Sequence, residues 1–411
     1  MQQFGDKLWS LVRAPVGPLV PYIEAFARQL NEQGFKRYSI ASQVRLIAKF
    51  SRWLKANHIA VEDLTDVHAQ RFLRRLKLRR PSRLGFLATV RRFMAFLREL
   101  GVIQEQVACT EAKPNQRVVE AFAQHLRRDQ ALSPATCVQY LPFIEQFLAY
   151  RFAEGAVHLS DLCAADVVGF IRQQALRLSR ARAKCATTAL RSFLRYLRYR
   201  AEITLDLAAA VPTVPNWSMT GIPRAIAADH VRAVLASCRR DTAVGCRDYA
   251  ILMLLARLGL RAGEIVALTL DSIDWERGCL TVVGKGGQSS QLPLPAEVGE
   301  AIAGYLQRGR PHRSCRTLFL RANAPIRGLG AQTSIGSIVN AAITRAGIQT
   351  AHRGSHQFRH ALACQMLRQG ATLTEIGSLL RHRHPKTTGI YAKVDFAALR
   401  PLSLPWPGGV R

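Results

Sequence analysis

Acid is scarce in this sequence: 28 Asp and Glu stand against 58 Lys and Arg in 411 residues, a formal net charge of +30. With 48% hydrophobic residues the chain can still build packed cores, so the excess cation reads as a surface for a polyanion rather than a mark of disorder. Nucleic acid is the leading partner. An acidic membrane surface is the rival, but neither an amphipathic terminal helix nor a lipidation signal serves it. Long apolar runs are also missing. The longest, Tyr249 to Ala256, is too short to cross a bilayer, and the N-terminus lacks a signal-peptide core, so a cytoplasmic protein with no membrane association is expected. The nine cysteines, from Cys109 to Cys364, include no C-x-x-C pair. An odd count without ligand spacing argues against a disulfide framework and structural zinc. No metal or other cofactor is expected.

The length fits two or three domains. Residues 1–20, with Pro15, Gly17 and Pro18, read as an irregular lead-in. Beyond them the N-terminal half repeats itself. I-E-A-F-A-R-Q-L at Ile23 to Leu30 matches V-E-A-F-A-Q-H-L at Val119 to Leu126. Ser39 to Arg45 answers Ser133 to Gln139, and Trp53-Leu54 stands opposite Phe147-Leu148. Phe72-Leu73 pairs with Phe170-Ile171, and Val90 to Leu97 aligns with Leu190 to Leu197. This pattern predicts a duplicated helical domain, 21–107 and 108–210. Each copy has four or five helices, with an N-cap serine before the second. In the last helix of the second copy, Leu190, Phe193, Leu194 and Leu197 form a core stripe while Arg191, Arg195 and Arg198 line another face.

Acid is absent at the same place in both copies. Residues 71–98 hold ten Lys or Arg and residues 171–200 hold nine, neither with a single acid. A charge run is often only a solvated face, but its recurrence favours contact with the DNA backbone. The expected contacts are Arg74, Arg75, Arg79, Arg80, Arg91 and Arg92 in the first copy. In the second they are Arg180, Arg182, Lys184, Arg191, Arg195 and Arg198. The segment 211–224, with three prolines and a glycine, reads as an interdomain linker. After it, helices are expected at Ala228–Ser237 and Arg247–Leu258, a strand at Asp274–Val283, and a second strand at Gln291–Leu294 across a Lys285-Gly286-Gly287 turn. More helices follow to 395, then an irregular tail, 396–411.

The stretch from Arg353 to Tyr391 gathers imidazoles, a guanidinium and a phenol. His356 and Arg359, three apart, share a helix face and can reach one small anion. A phenol of pKa about 10 needs cations or a base before it can act as a nucleophile at neutral pH. His356 and His360 also have the spacing of a metal pair, but no acidic or cysteine ligand keeps them company. Arg261, in L-G-L-R-A-G-E, is either a helix-end cation paired with Glu264 or a phosphate ligand. Lys285, at a glycine-flanked hairpin tip, is by itself an ordinary exposed lysine.

Taken together, these motifs resemble the tyrosine recombinase (phage integrase) family: the H-x-x-R-H of His356 to His360, His382, Tyr391 nine residues later, the arginine motif at Leu258 to Leu268 and the hairpin lysine at Val282 to Gln288. The resemblance covers about residues 225–395. It implies a mainly α chain: two all-helical N-terminal domains of the SAM-like core-binding type, then an α+β catalytic domain, 225–395, with a small antiparallel sheet. It further implies a bacterial, nucleoid-associated site-specific recombinase that works as a homotetramer on double-stranded DNA recombination sites, with or without partner recombinases. Tyr391 is then the nucleophile and Arg261 and Arg359 the phosphate ligands. Lys285 is the general acid, His356 a proton acceptor or phosphate donor, His382 the third-motif histidine with His384 close by as an alternative, and Glu264 and His360 are supporting residues. Two departures stand out. Arg381 replaces the usual glycine before that histidine, which questions the local turn and suggests an added DNA contact. Gln288 and Ser290 stand where basic residues are frequent. The first helical copy is also additional to the family's minimal pattern, and either grips more DNA, binds an arm site or contacts a neighbouring protomer. A type IB topoisomerase or a telomere resolvase would share the site, and a catalytically silent accessory protein would share the fold.

Overall fold

The computed structural model describes residues 15–76, 80–103, 114–153, 155–214, 223, 225–284, 287–350, 352–394 and 399–402, with backbone only at 80–84. The chain is mainly helical with one three-stranded antiparallel sheet. It divides into two compact units: Glu105–Thr220, and Met1–Gln104 together with Gly221–Arg411.

The first helical copy comprises α1 (Val20–Glu32), α2 (Arg37–Ala56), α3 (Asp66–Arg75) and α4 (Arg80–Glu99). The second comprises α5 (Pro114–Arg128), α6 (Pro134–Phe152), α7 (Ala164–Ala175) and α8 (Arg180–Tyr199). Each has its own core, built from apolar residues at helical spacing, such as Ile40, Val44, Ile47 and Leu54 along α2. The repeat extends to ring contacts. Phe26 meets Phe93 edge-on at 5.0 Å, as Phe122 meets Phe193 at 5.2 Å. Phe26–Phe96 and Phe122–Tyr196 are tilted at 45° and 46°. Trp53–Phe72 (5.9 Å, 50°) answers Tyr150–Phe170 (5.8 Å, 52°) and Phe50–Phe72 answers Phe147–Phe170, so Trp53 stands opposite Tyr150 rather than Phe147. The third helices start alike as well. The side chain of His68 accepts from the Thr65 N–H, and that of Asp166 from the Cys163 N–H. The expected N-cap serine holds for the second copy only, where Ser133 Oγ accepts from the Thr136 N–H at 3.3 Å. In the first copy, Gly34 (φ +83°) turns the chain early and α2 starts after Lys36, which leaves Ser39 inside the helix bonded to Gln43.

Gly34 also lies where the larger unit brings two sequence-distant segments together. Ile326 donates its N–H to the Gln33 carbonyl at 2.8 Å and the Arg313 guanidinium bonds the Glu32 carbonyl at 2.8 Å, so the end of α1 is closed by residues some three hundred positions away. Any side chain on Gly34 would strike both.

The C-terminal region is built around α10 (Ala243–Leu258), whose residues Ala250 to Leu255 are buried on every side. It packs against α12 (Ala296–Arg308) and α14 (His356–Arg368), and α9 (Ala228–Ala236), α11 (Ala262–Ala267) and α13 (Gln332–Arg345) complete the shell. The strand expected over Asp274–Val283 is two strands, β1 (Ile273–Asp274) and β2 (Cys279–Val283). Between them Asp274 accepts from the Arg277 N–H and Gly278 takes φ +61°, a polar turn that breaks the run. β2 pairs with β3 (Ser289–Pro293), in register at Leu280↔Leu292 and Val282↔Ser290. The linker lies largely outside the described residues, as does the tail beyond Leu402. No helix among the described residues is long and apolar enough to cross a membrane.

Candidate active site

α10 ends at Leu258, and Gly259, at φ +57°, turns the chain out of it. Arg261 then caps α11, and Glu264 one turn on reaches back to accept from the Arg261 backbone N–H and from its guanidinium, both at 2.8 Å. Glu264 is 4% exposed, whereas the Arg261 side chain is 33% exposed. The second guanidinium comes from α14. There Arg359 is 4% exposed and donates to the Gly259 carbonyl at 2.6 Å and to that of Leu380. A Cβ on Gly259 would lie 2.8 Å from Leu380, so only glycine lets this turn approach so closely.

Leu380 ends α15 (Leu373–Leu379), and Arg381 follows with φ +54°. Its guanidinium bonds Glu264 at 2.9 Å and the Leu379 carbonyl at 2.9 Å. His382 Nδ1 lies 2.7 Å from the Thr388 hydroxyl, at the end of α16 (Pro385–Thr388). Tyr391, in the 3-10 turn Gly389–Val394, is 1% exposed, with its ring among Ala363, Cys364, Ile376 and Leu380. Its hydroxyl is 3.0 Å from His360 Nδ1.

Charge in this cluster is mostly positive. Burial raises the Tyr391 phenol to about 12 although Arg359 and Arg261 pull it down. Burial, then Arg261 and Arg381, lowers Arg359 to about 10. His356 is accessible at the start of α14, yet partial desolvation and the guanidiniums of Arg359 and Arg261 lower its pKa. His382 falls to about 4, through burial first and then Arg359, Arg261 and Arg381. Burial works against a charged Glu264, but the Arg261 N–H and the Arg381 and Arg261 guanidiniums outweigh it and keep the carboxyl low. Between about pH 6.5 and 4 the unfolded chain therefore binds a proton at residue 382 that the folded chain refuses, so stability falls with pH through this window. Thermal melts across it should show a shallower loss for His382→Asn than for the unchanged protein.

The structure thus brings Arg261, Glu264, His356, Arg359, His360, His382 and Tyr391 together. His382 faces the cluster while His384 is exposed. Lys285 lies outside the described residues, although the flanking turn closes with a Gly284 N–H to Gln288 carbonyl bond of 2.8 Å. Three expectations need correction. His360, rather than His356, meets the phenol, because it sits one turn further along α14, opposite the 3-10 turn. His356 and Arg359, expected to reach one small anion from a shared helix face, are presented differently: His356 is exposed, whereas Arg359 is buried and points at two carbonyls. Arg381 keeps the left-handed turn and is held by Glu264 instead of facing outward to DNA. Sequence reasoning missed Thr388 as the partner of His382; a hydroxyl six residues on gave no signal of its own.

Among the basic residues, Arg74, Arg75, Arg91, Arg180, Arg182, Lys184 and Arg195 are exposed. Arg92 is engaged internally, with Gln43 at 2.5 Å and over the Phe35 ring, and Arg191 binds the Val211 and Pro212 carbonyls. Arg198 pairs with Asp206 at 3.1 Å. Arg79 lies outside the described residues, as does the side chain of Arg80.

The phage integrase family model matches residues 224–398. Over 410 residues the chain is 49% identical to the integrase/recombinase y4rA of Sinorhizobium fredii, covering 99% of each. It is a member of the phage integrase family, the tyrosine recombinases. Another tyrosine recombinase, XerD of Shewanella oneidensis, is 30% identical over 69% of this chain and 94% of its own. In fold the chain is similar to the recombinase XerH in a post-cleavage complex on its difH substrate, with TM-score 0.57, 17% identity, and 72% and 97% of the two chains covered. It is also similar to a lambda integrase tetramer bound to a Holliday junction, with TM-score 0.52, 14% identity, and coverage of 74% and 86%.

Proposed function

We propose that this tyrosine recombinase cuts and rejoins DNA at specific sites through a 3′-phosphotyrosyl bond. The observation that carries the reading is a buried phenol hydrogen-bonded to an imidazole within the field of two guanidiniums. Tyr391 Oη attacks the phosphorus, the P–O5′ bond breaks, and the 5′ oxygen leaves with a proton supplied by Lys285. His360 accepts the phenol proton. Arg261, the more exposed guanidinium, grips a non-bridging oxygen, Arg359 fixes the positive field from behind, and His356 and His382 add neutral donors. Because Tyr391 is almost fully buried, its short 3-10 turn has to move to present it, and such turns are weakly held. A 5′ hydroxyl of a second duplex then attacks the phosphotyrosine, which conserves the bond energy. Two such rounds pass through a Holliday junction in a homotetramer, the assembly seen for the similar lambda integrase. The exposed arginines and lysine of the two helical copies hold the DNA backbone.

The test uses nicked duplexes tiled across the DNA that flanks the gene, incubated with the protein in excess chelator. Arginines and a lysine here do what divalent ions do in many nucleases, so a covalent protein–DNA band should survive on a denaturing gel. Absence of any such band from every duplex, or its appearance only when magnesium or zinc is restored, would overturn the reading.

A further inference from the structure

Arg381 occupies a position that its own backbone disfavours. It follows α15 in the left-handed region, φ +54°, and the helix is closed by bonds from the Arg381 N–H to the Ser378 carbonyl and from the His382 N–H to the Gly377 carbonyl. Glycine suits that site because it has no Cβ to clash, whereas an arginine is strained there. Its guanidinium is also desolvated: the side chain is 11% exposed and its Nε has no hydrogen-bond partner among the described residues. Neither local turn preference nor solvation accounts for an arginine. What does account for it is the carboxylate it reaches. Glu264, with a side chain 3% exposed, takes Arg381 on Oε2 at 2.9 Å and the Arg261 guanidinium on Oε1 at 2.8 Å, so one carboxylate joins segments 117 residues apart.

We propose that Arg381 is a positioning residue for strand cleavage, acting through Glu264 to set the Arg261 guanidinium and through its own backbone to set His382. This rests on the recombinase reading above. The physical reason is competition for the carboxylate. While Arg381 occupies Oε2, Glu264 holds the Arg261 guanidinium through Nη1 alone, which leaves its other donors to face a phosphate. Without Arg381, Oε2 keeps only the Arg261 backbone N–H and has a lone pair open for a second guanidinium donor of Arg261, the two-point grip that such pairs favour, and that donor is withdrawn from the DNA. A second consequence is charge: with Arg359 also in the cluster, losing Arg381 leaves two guanidiniums instead of three beside the one carboxylate, so the positive field on the phosphate is weaker.

The experiment compares Arg381→Gly, Arg381→Lys and the unchanged protein for covalent capture of the nicked duplex found by the tiling assay, alongside equilibrium binding of the same duplex and thermal melts. Glycine relieves the turn, so a purely conformational role predicts a variant at least as stable and as active as the original. The positioning role predicts an equal or higher melting temperature and unchanged DNA affinity. It also predicts a capture rate lower by on the order of ten- to a hundredfold, the effect of misplacing a reacting group by about 1 Å. Lysine, which retains the charge, should recover part of that rate. Because the effect passes through Glu264, Arg381→Gly should add little to the loss caused by Glu264→Gln alone. Capture by Arg381→Gly at the original rate overturns the proposal, as does a loss matched by an equal loss of affinity or stability. Failure of the unchanged protein to capture any duplex overturns instead the reading on which it rests.

Discussion

Tyr391→Phe abolishes covalent capture of nicked DNA while leaving DNA affinity within about twofold and the fold intact. The substitution removes one oxygen and nothing else. The ring is 1% exposed among Ala363, Cys364, Ile376 and Leu380, and phenylalanine fills the same space. The hydroxyl's hydrogen bond, to His360 at 3.0 Å, is a contribution of about 1 kcal/mol to stability. Chemistry, by contrast, is lost altogether, since no other nucleophile replaces the phenol. A denaturing gel distinguishes the two proteins directly, and binding measured by mobility shift serves as the control. Equal trapping by the Phe variant would mean that a different side chain attacks the phosphate.

Arg359→Ala is expected to fail in two ways at once, and this separates it from Arg261→Ala. Both variants should lose capture by roughly a hundredfold or more, Arg261→Ala by deleting a donor to the developing charge and Arg359→Ala by removing the buried cation behind it. Only the Arg359 variant should also be unstable. Its guanidinium is buried and bonds the carbonyls of Gly259 and Leu380, and each buried carbonyl left without a donor costs about 1–3 kcal/mol. The Arg261 side chain is 33% exposed and its loss leaves Glu264 still paired with Arg381. Denaturant melts should therefore show a large drop for Arg359→Ala and a small one for Arg261→Ala. Arg359→Lys restores the charge without the planar fork and should recover stability only in part. Equal melting behaviour of the two alanine variants would contradict the anchoring role given to Arg359.

What could be read in advance follows from how far each interaction reaches along the chain. The core stripe Leu190, Phe193, Leu194 and Leu197 is buried as its spacing predicts, because helix periodicity is local. The duplication was legible for the same reason, with Phe26, Phe93, Phe122 and Phe193 correctly matched. The register, however, slipped by three residues along the second helices, where Lys36 rather than Ser39 answers Ser133 and Tyr150 rather than Phe147 answers Trp53. The split between β1 and β2 was not legible, since Trp275 within the turn and the β-branched Ile273, Thr281, Val282 and Val283 around it read as one strand and masked a turn made by side-chain and backbone geometry. Site residues were legible as a set and illegible in their pairings. His360 finds Tyr391 from 31 residues away and Arg381 finds Glu264 from 117, distances over which sequence spacing carries no direction. Likewise Arg92 and Arg191 look like their neighbours in the sequence, and only packing turns them inward.

The matching ring pairs of the two helical copies have a consequence for how the chain reaches its native state. Phe26 with Phe93 and Phe122 with Phe193 pack edge-on at nearly the same distance, so α5 offered to α4, or α8 to α1, would meet a ring like its native partner. Tandem cores of this kind are prone to exchange helices between repeats and to settle in kinetic traps. Synthesis from the N-terminus works against the error, because the first copy can close before the second leaves the ribosome. Size differences work against it too: Trp53 is answered by the smaller Tyr150, and Phe96 by the larger Tyr196. Refolding of the whole chain from denaturant lacks the first safeguard and relies on the second alone.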